Sequence, residues 1–189
     1  MLTPDTRSAI GDGDQCFDIA YSLDCNVSIE LIARTLSRIN RYNGHGKHPI
    51  SVLDHSLIVS RLCPPEFALA GLMHDAHEAL IGDITQPVKN FLRASGCGHV
   101  LRYLDLSGMH AICRNFNLNM NDLTHDVVKG WDIKALQIES HFIFEDNDDL
   151  WRSFRAKTVT EDEECIYSMS LNSKPEDFIN EYKKILSIH

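Results

Sequence analysis

Apolar residues recur at three- and four-residue steps along most of the chain, and few segments alternate in the way a half-buried strand does. The pattern predicts helices. After Ser28, a residue suited to cap a helix, Ile29, Ile32, Leu36 and Ile39 line one face until Gly44 and Gly46 stop the run. The stretch NRYNGHGKHP is then a loop. Ser51 and Asp54 stand in capping-box spacing and open a second helix, on which Val52, His55, Val59 and Leu62 share a face before Pro64 and Pro65 end it. A third helix is predicted over about 65–81, with Leu69, Ala70, Met73, His77 and Leu80 as its apolar stripe and Gly82 as its terminator. The GDITQP turn leads into a short helix through Val88 and Leu92, closed by SGCG. Residues 99–116 read as a helix weakened at Gly108, and 122–144 as one long helix. Thr160 with Glu163, and Ser173 with Pro175, mark two further helix starts. Residues 1–27 break the pattern: rich in Gly and Asp, they suit an extended arm or a short hairpin. The acidic EDNDD run reads as a solvated loop.

A length of 189 residues fits a single domain able to bury its own core. The expectation is therefore one all-α domain over 1–189 with an irregular or hairpin arm. At 43% apolar and 24% charged residues the composition is that of a globular protein. No apolar run approaches the roughly 20 residues that cross a bilayer. The start of the chain, with Asp5, Asp12 and Asp14, lacks the basic-then-apolar order of a signal peptide, which points to the cytoplasm. The six cysteines show no CxxC spacing and read as free thiols in a reducing compartment. A formal net charge of -9 opposes binding to a nucleic-acid polymer, which needs Lys and Arg clusters. A small anion held by a metal and a few local cations remains open.

The candidate chemistry lies on three of these helices. His55, the pair His74-Asp75, and Asp132 each turn an expensive polar group toward the apolar side. Taken singly they have plainer readings: His55 as a hydrogen-bonded core histidine, Asp132 as a buried ion-pair partner. Taken together, two imidazoles and two carboxylates make a mixed N/O site suited to Mn, Co, Fe, Zn or Mg, with positions left for water and a phosphate oxygen.

The text around these residues is more specific than their spacing. VLDHSLIVS, then LAGLMHDAHEALIGDITQPVK, then GWDIKALQIES resembles the H…HD…D signature of the HD-domain phosphohydrolases over about 31–139. Within that superfamily it is most similar to the bacterial and phage 5'-deoxynucleotidases, with the phage dATP triphosphohydrolases as relatives. The resemblance implies an all-helical HD-domain bundle around one divalent ion, held by His55, His74, Asp75 and Asp132. It implies that Glu78 activates water or protonates the leaving oxygen, and that Arg41 contacts the substrate phosphate. Tyr42 stands where deoxynucleotidases with an NRW segment carry tryptophan, a departure that bears on sugar preference. Asp83 matches an aspartate that binds the sugar hydroxyl, although capping the following helix explains it equally well. Lys89 matches a lysine that binds a phosphate tail or is a solvated helix residue, and Arg93, four residues on, can face the same way.

The resemblance therefore implies hydrolysis of a nucleotide phosphate: a 5'-deoxynucleoside monophosphate first, a dNTP with release of its phosphate tail second. Other HD activities, such as cyclic-dinucleotide hydrolases and di-iron oxygenases, need extra ligands; His77 and His99 are spare, but the characteristic motifs are missing. A non-catalytic nucleotide-binding module is the alternative from another class. His77 is read as a packing histidine, His45 and His48 as loop residues near a substrate or in solvent, and Trp131 as a core or wall residue. The apolar positions Phe178, Tyr182 and Ile185 near the C-terminus suit packing on the chain's own core or on a second copy in a homo-oligomer.

Overall fold

The computed structural model describes residues 9–12, 15–18, 26–145 and 152–188. Two strands, β1 (Ala9–Asp12) and β2 (Gln15–Asp18), pair antiparallel with Ala9 opposite Asp18, which gives the arm the form of a hairpin. The other described elements are helical. In chain order they are α1 (Ile29–Leu36), α2 (Val52–Leu62), α3 (Ala68–Met73), α4 (Glu78–Ile81), α5 (Gln86–Ala94), α6 (Gly98–Phe116), α7 (Met120–Leu123), α8 (Asp126–Ile143), α9 (Glu161–Ser170) and α10 (Pro175–Ile188). None of these helices is long and apolar enough to cross a membrane. Most of EDNDD lies outside the described residues; Glu145, at its start, pairs with Lys47 at 3.4 Å.

The local signals act as expected. Ser28 caps α1 by accepting from Leu31, and complete capping boxes start α2 at Ser51 and α9 at Thr160. Asp54 has a second task, since its other carboxylate oxygen accepts from the Ser173 N–H at 3.0 Å and ties the α9–α10 connection to the start of α2.

α2 is the axis of the molecule. Every residue from Val52 to Ser60 is buried, because two apolar clusters sit on opposite sides of it. Leu53 and Leu57 join residues of α1, α3, α4, α6 and α10, including the fully buried Phe178. Ile58 and Val59 join Ala135, Ile138 and Ile143 of α8 and Tyr167 of α9. Phe178 and Ile185 thus pack into the chain's own core. Between Val52 and Ser60 the polar side chains are enclosed with the apolar ones, and His55 and Ser56 are fully buried.

Three predicted helices differ in extent. The first ends at Leu36, where Ser37 and Arg38 turn back on Ala33 and Thr35; Asn40 then bridges to Ser51, and Arg41–Gly44 form a 3-10 turn. The helix over 65–81 is interrupted. Pro65–Phe67 is a 3-10 turn, and between α3 and α4 the backbone tightens to three-residue bonds such as Glu78 N–H to Asp75 O. At this break the Gly71 carbonyl, positioned to accept the Asp75 amide in a continuous α-helix, accepts the His74 ring N–H at 2.8 Å. The long helix over 122–144 is divided into α7 and α8 by His125, whose extended backbone and Nδ1, accepting from Val127, cap α8.

Candidate metal centre

α2, the α3–α4 turn and α8 bring His55, His74, Asp75 and Asp132 to one place. His74 Nδ1 faces the Gly71 carbonyl, which can only accept, so Nδ1 donates whether the ring is neutral or charged, and Nε2 is the nitrogen turned toward the carboxylates. His55 Nδ1 faces the Glu139 carboxylate at 2.5 Å, with the same consequence for its Nε2. Neither Nε2 has a hydrogen-bond partner, although both are buried. What they face instead is carboxylate oxygen. His55 Nε2 lies 3.1 Å from Asp132 Oδ1 and 3.6 Å from Asp75 Oδ2; His74 Nε2 lies 3.2 Å from Asp75 Oδ2 and 3.9 Å from Asp132 Oδ1.

Buried imidazole nitrogens left open toward carboxylates form a ligand set for a cation. The donor atoms of His55, His74 and Asp75 lie within 4.8 Å of one another, a group that can hold a metal ion. Exposure rises across the cluster, from 0% at His55 and 8% at His74 to 19% at Asp75 and 39% at Asp132, so it opens to solvent on the carboxylate side.

The electrostatics point the same way. Burial works to lower the His74 pKa, but the adjacent Asp75, with Asp132, outweighs it and lifts the ring to about 9. Burial likewise opposes ionisation of Asp75, yet His74 and His55 hold it well below the usual carboxylate range. Protonation of these rings and ligation of a metal ion draw on the same Nε2 atoms and so oppose each other.

Arg41, in the 3-10 turn before α2, directs Nε to Glu139 at 3.2 Å and Nη1 toward Asp75 Oδ2 at 3.7 Å. It is therefore at the rim of the cluster, its side chain only 12% exposed. Glu78 starts α4, is buried, and has an Oε2 without a hydrogen bond. Burial, followed by Asp75 and Asp83, pushes its pKa up to about 9, so the carboxyl holds a proton at neutral pH in the metal-free protein. Asp83 is half-buried and raised by burial; it does not cap α5, whose cap position is Thr85. Lys89 lies close enough for its charge to act on His77, Glu78 and Asp83.

Arg93 is placed differently. It reaches Asn90 and lines a groove of about 430 Å³ on α5 and α6 with Arg102 and Asp105. Tyr42 donates its hydroxyl to Glu139 at 2.7 Å and packs edge-on against Phe144, facing the protein as well as the rim. His77 is a buried ring packed on Gly108, where a Cβ would meet its own Cβ at 3.0 Å, so the glycine in α6 gives the ring its room. His48 bonds the Tyr167 hydroxyl at 2.8 Å, and His45 is exposed.

Glu139 is the residue that the sequence did not single out. It lies seven residues after Asp132 on α8, the separation that returns a helix to the same face, and it is fully buried. Burial opposes its charge, while Arg41 and His55 hold its pKa below the usual value. An acidic residue at that separation from a candidate ligand, inside an otherwise apolar stripe, is the signal that was available.

No family model matches the chain. It is 46% identical over 67 residues to the uncharacterized protein YfdR of Escherichia coli strain K12, a match covering 35% of this chain and 38% of that protein. It is 38% identical over 92 residues to the uncharacterized protein RCAP_rcc00048 of Rhodobacter capsulatus, covering 44% of this chain and 45% of the relative. The chain thus matches less than half the length of these curated relatives, whose names state no activity.

Proposed function

We propose that the chain is an HD-type, divalent-metal-dependent phosphohydrolase acting on a nucleotide, with a 5'-deoxynucleoside monophosphate as substrate. One observation carries this reading: two buried imidazole nitrogens, each ring donating from its far side, converge without hydrogen bonds on two carboxylates beside a partly buried arginine. The donor set fits the metal. His55, His74, Asp75 and Asp132 would hold it, and two nitrogens with two carboxylate oxygens suit Mn, Co, Mg, Zn or Fe.

When bound, such an ion polarises a phosphoryl oxygen and makes a water nucleophilic at neutral pH. The chain's own residues do the rest. Arg41, restrained by Glu139 and Asp75, offers a planar cation to the phosphate. Glu78 Oε2, buried and without another partner, can accept a proton from the attacking water or deliver one to the leaving oxygen. Asp83, half-buried beside it, is available to a sugar hydroxyl. A second reading, removal of the phosphate tail from a dNTP, is favoured by Lys89, whose charge already acts on this rim.

The test is turnover of a nucleotide panel by the full chain with added Mn, Co or Mg, with products identified. Inorganic phosphate from a dNMP supports the first reading and tripolyphosphate from a dNTP the second. Nucleotide binding with no turnover under any metal would replace both by a non-catalytic binding module.

A further inference from the structure

Glu139 stands outside the proposed ligand set, yet three side chains donate to its one carboxylate. Its Oε1 accepts from His55 Nδ1 at 2.5 Å, while its Oε2 accepts from the Tyr42 hydroxyl at 2.7 Å and from Arg41 Nε at 3.2 Å. One oxygen serves a candidate ligand on α2. The other serves the 3-10 turn that carries Arg41.

We infer that Glu139 is a positioning residue that joins the metal centre to the anion-binding arginine, one oxygen fixing the proton and ring of His55 and the other aiming Arg41. The inference rests on the functional reading above for the metal at His55 and for the phosphate at Arg41.

Three physical points support it. A fully buried carboxylate is strongly disfavoured unless its charge and lone pairs are met, and here a guanidinium, an imidazole N–H and a phenol meet them. A carboxylate on the distal nitrogen of a ligating histidine fixes its tautomer and raises its basicity. The backbone of the same turn is strained: Tyr42 has φ 55°, a left-handed conformation unfavourable for a bulky residue, and Asn43 follows it at φ 53°. Tyr42 is held there by its bond to Glu139 and by Phe144. The strained turn places Arg41 Nη1 within 3.7 Å of Asp75 while its Nε stays on Glu139. Metal and phosphate should therefore bind with a coupling that passes through Glu139.

The experiment uses the full chain with Mn(II) or Co(II) and inorganic phosphate as probes, measured by calorimetry, so that the test of Glu139 does not depend on nucleotide turnover. In the wild type, saturating phosphate should tighten the metal by roughly 5-fold or more. Glu139→Gln keeps shape and removes charge; it should weaken the metal by roughly 10–100-fold and reduce the phosphate effect to what direct contact of phosphate with the ion supplies. Tyr42→Phe removes one bond on the Oε2 side only, and should weaken phosphate on the loaded protein while leaving metal affinity unchanged. A folded Glu139→Gln protein with wild-type metal affinity and coupling overturns the inference. If that variant does not fold, Tyr42→Phe decides: unchanged phosphate affinity overturns the inference, and a selective loss supports it. A wild-type chain that binds both probes with coupling but hydrolyses no nucleotide would end the functional reading and leave the junction standing. One that binds no metal overturns both.

Discussion

Asp132 Oδ1 and His55 Nε2 lie 3.1 Å apart, and the nitrogen makes no hydrogen bond. Two lone-pair atoms held that close repel unless a proton or a cation sits between them. His55 cannot relax away, because it is buried on α2 and fastened at Nδ1 to Glu139. His55→Ala and Asp132→Ala should each strip the metal and abolish turnover, and metal analysis of the purified variants checks this. A variant that keeps its ion and near-normal turnover removes that residue from the ligand set.

The pH dependence should differ in sign between the metal-free and loaded protein. The folded-state pKa of His74, about 9, lies above its ordinary 6.5, so this stabilisation is complete below pH 6.5 and is lost as pH rises through 9. Glu78, raised from 4.5 to about 9, acts in the same direction because the fold favours its protonated form. Metal ligation needs His74 neutral and so strengthens over that window. Between about pH 6.5 and about 8.5 the melting temperature in chelator should fall, while the increment given by Mn(II) should grow. Thermal unfolding with and without chelator measures both, and an increment that shrinks with pH contradicts the assignment.

Glu78→Gln separates proton transfer from ligation. The side chain is buried beside the cluster with Oε2 unbonded, and its shape is kept by the amide. Metal and phosphate affinity should persist while kcat falls by roughly 10²–10⁴-fold, the range for a general acid or base. Loss of metal with full turnover once the ion is restored would make Glu78 a support for the ligands instead.

These expectations show which parts of the structure the chain makes legible. Ser51 with Asp54 and Thr160 with Glu163 start helices because a capping box is settled within four residues. His55, His74, Asp75 and Asp132 stand out because each is a costly polar group on an apolar face, and the fold does bring them together. Glu139 is different. Its meaning depends on Arg41 and His55, 98 and 84 residues away in sequence, and no local pattern encodes that meeting. The break between α3 and α4 was hidden for a related reason: the His74 ring takes a backbone carbonyl, a choice that periodicity does not register. Arg93 and Lys89 share a helix face by spacing, yet Arg93 bonds Asn90 and lines the groove with Arg102.

Gly46 tests how firmly the Arg41 loop is seated. It has φ +113°, and an added Cβ would collide with Ile143 Cγ2, while the neighbouring Lys47 N–H is bonded to Ile143 O at 2.9 Å. Gly46→Ala should cost roughly 2–4 kcal/mol in unfolding free energy, from left-handed strain plus overpacking. Denaturant unfolding measures it, and a cost within error of zero would show that the loop has freedom to move off α8.

Lys89 and Arg93 decide how much of the substrate the site reads. A monophosphate needs one cation opposite the metal, and Arg41 is already in place; a triphosphate needs more positive charge along the tail. Lys89 acts on Glu78, Asp83 and His77, and so lies along a path leaving the cluster on the α4–α5 side. Arg93 instead reaches Asn90 and faces Arg102 and Asp105 across the groove on α6. If the tail of a dNTP is bound, Lys89→Ala should raise its KM by roughly 10-fold, the loss of one charge-assisted contact, and change the KM of a dNMP much less. Arg93→Ala should have the smaller effect on both. Steady-state kinetics on matched mono- and triphosphates gives the ratio directly. Equal effects of Lys89→Ala on the two substrates would assign the lysine to the general field of the rim, and a larger effect of Arg93→Ala would place the tail in the α5–α6 groove.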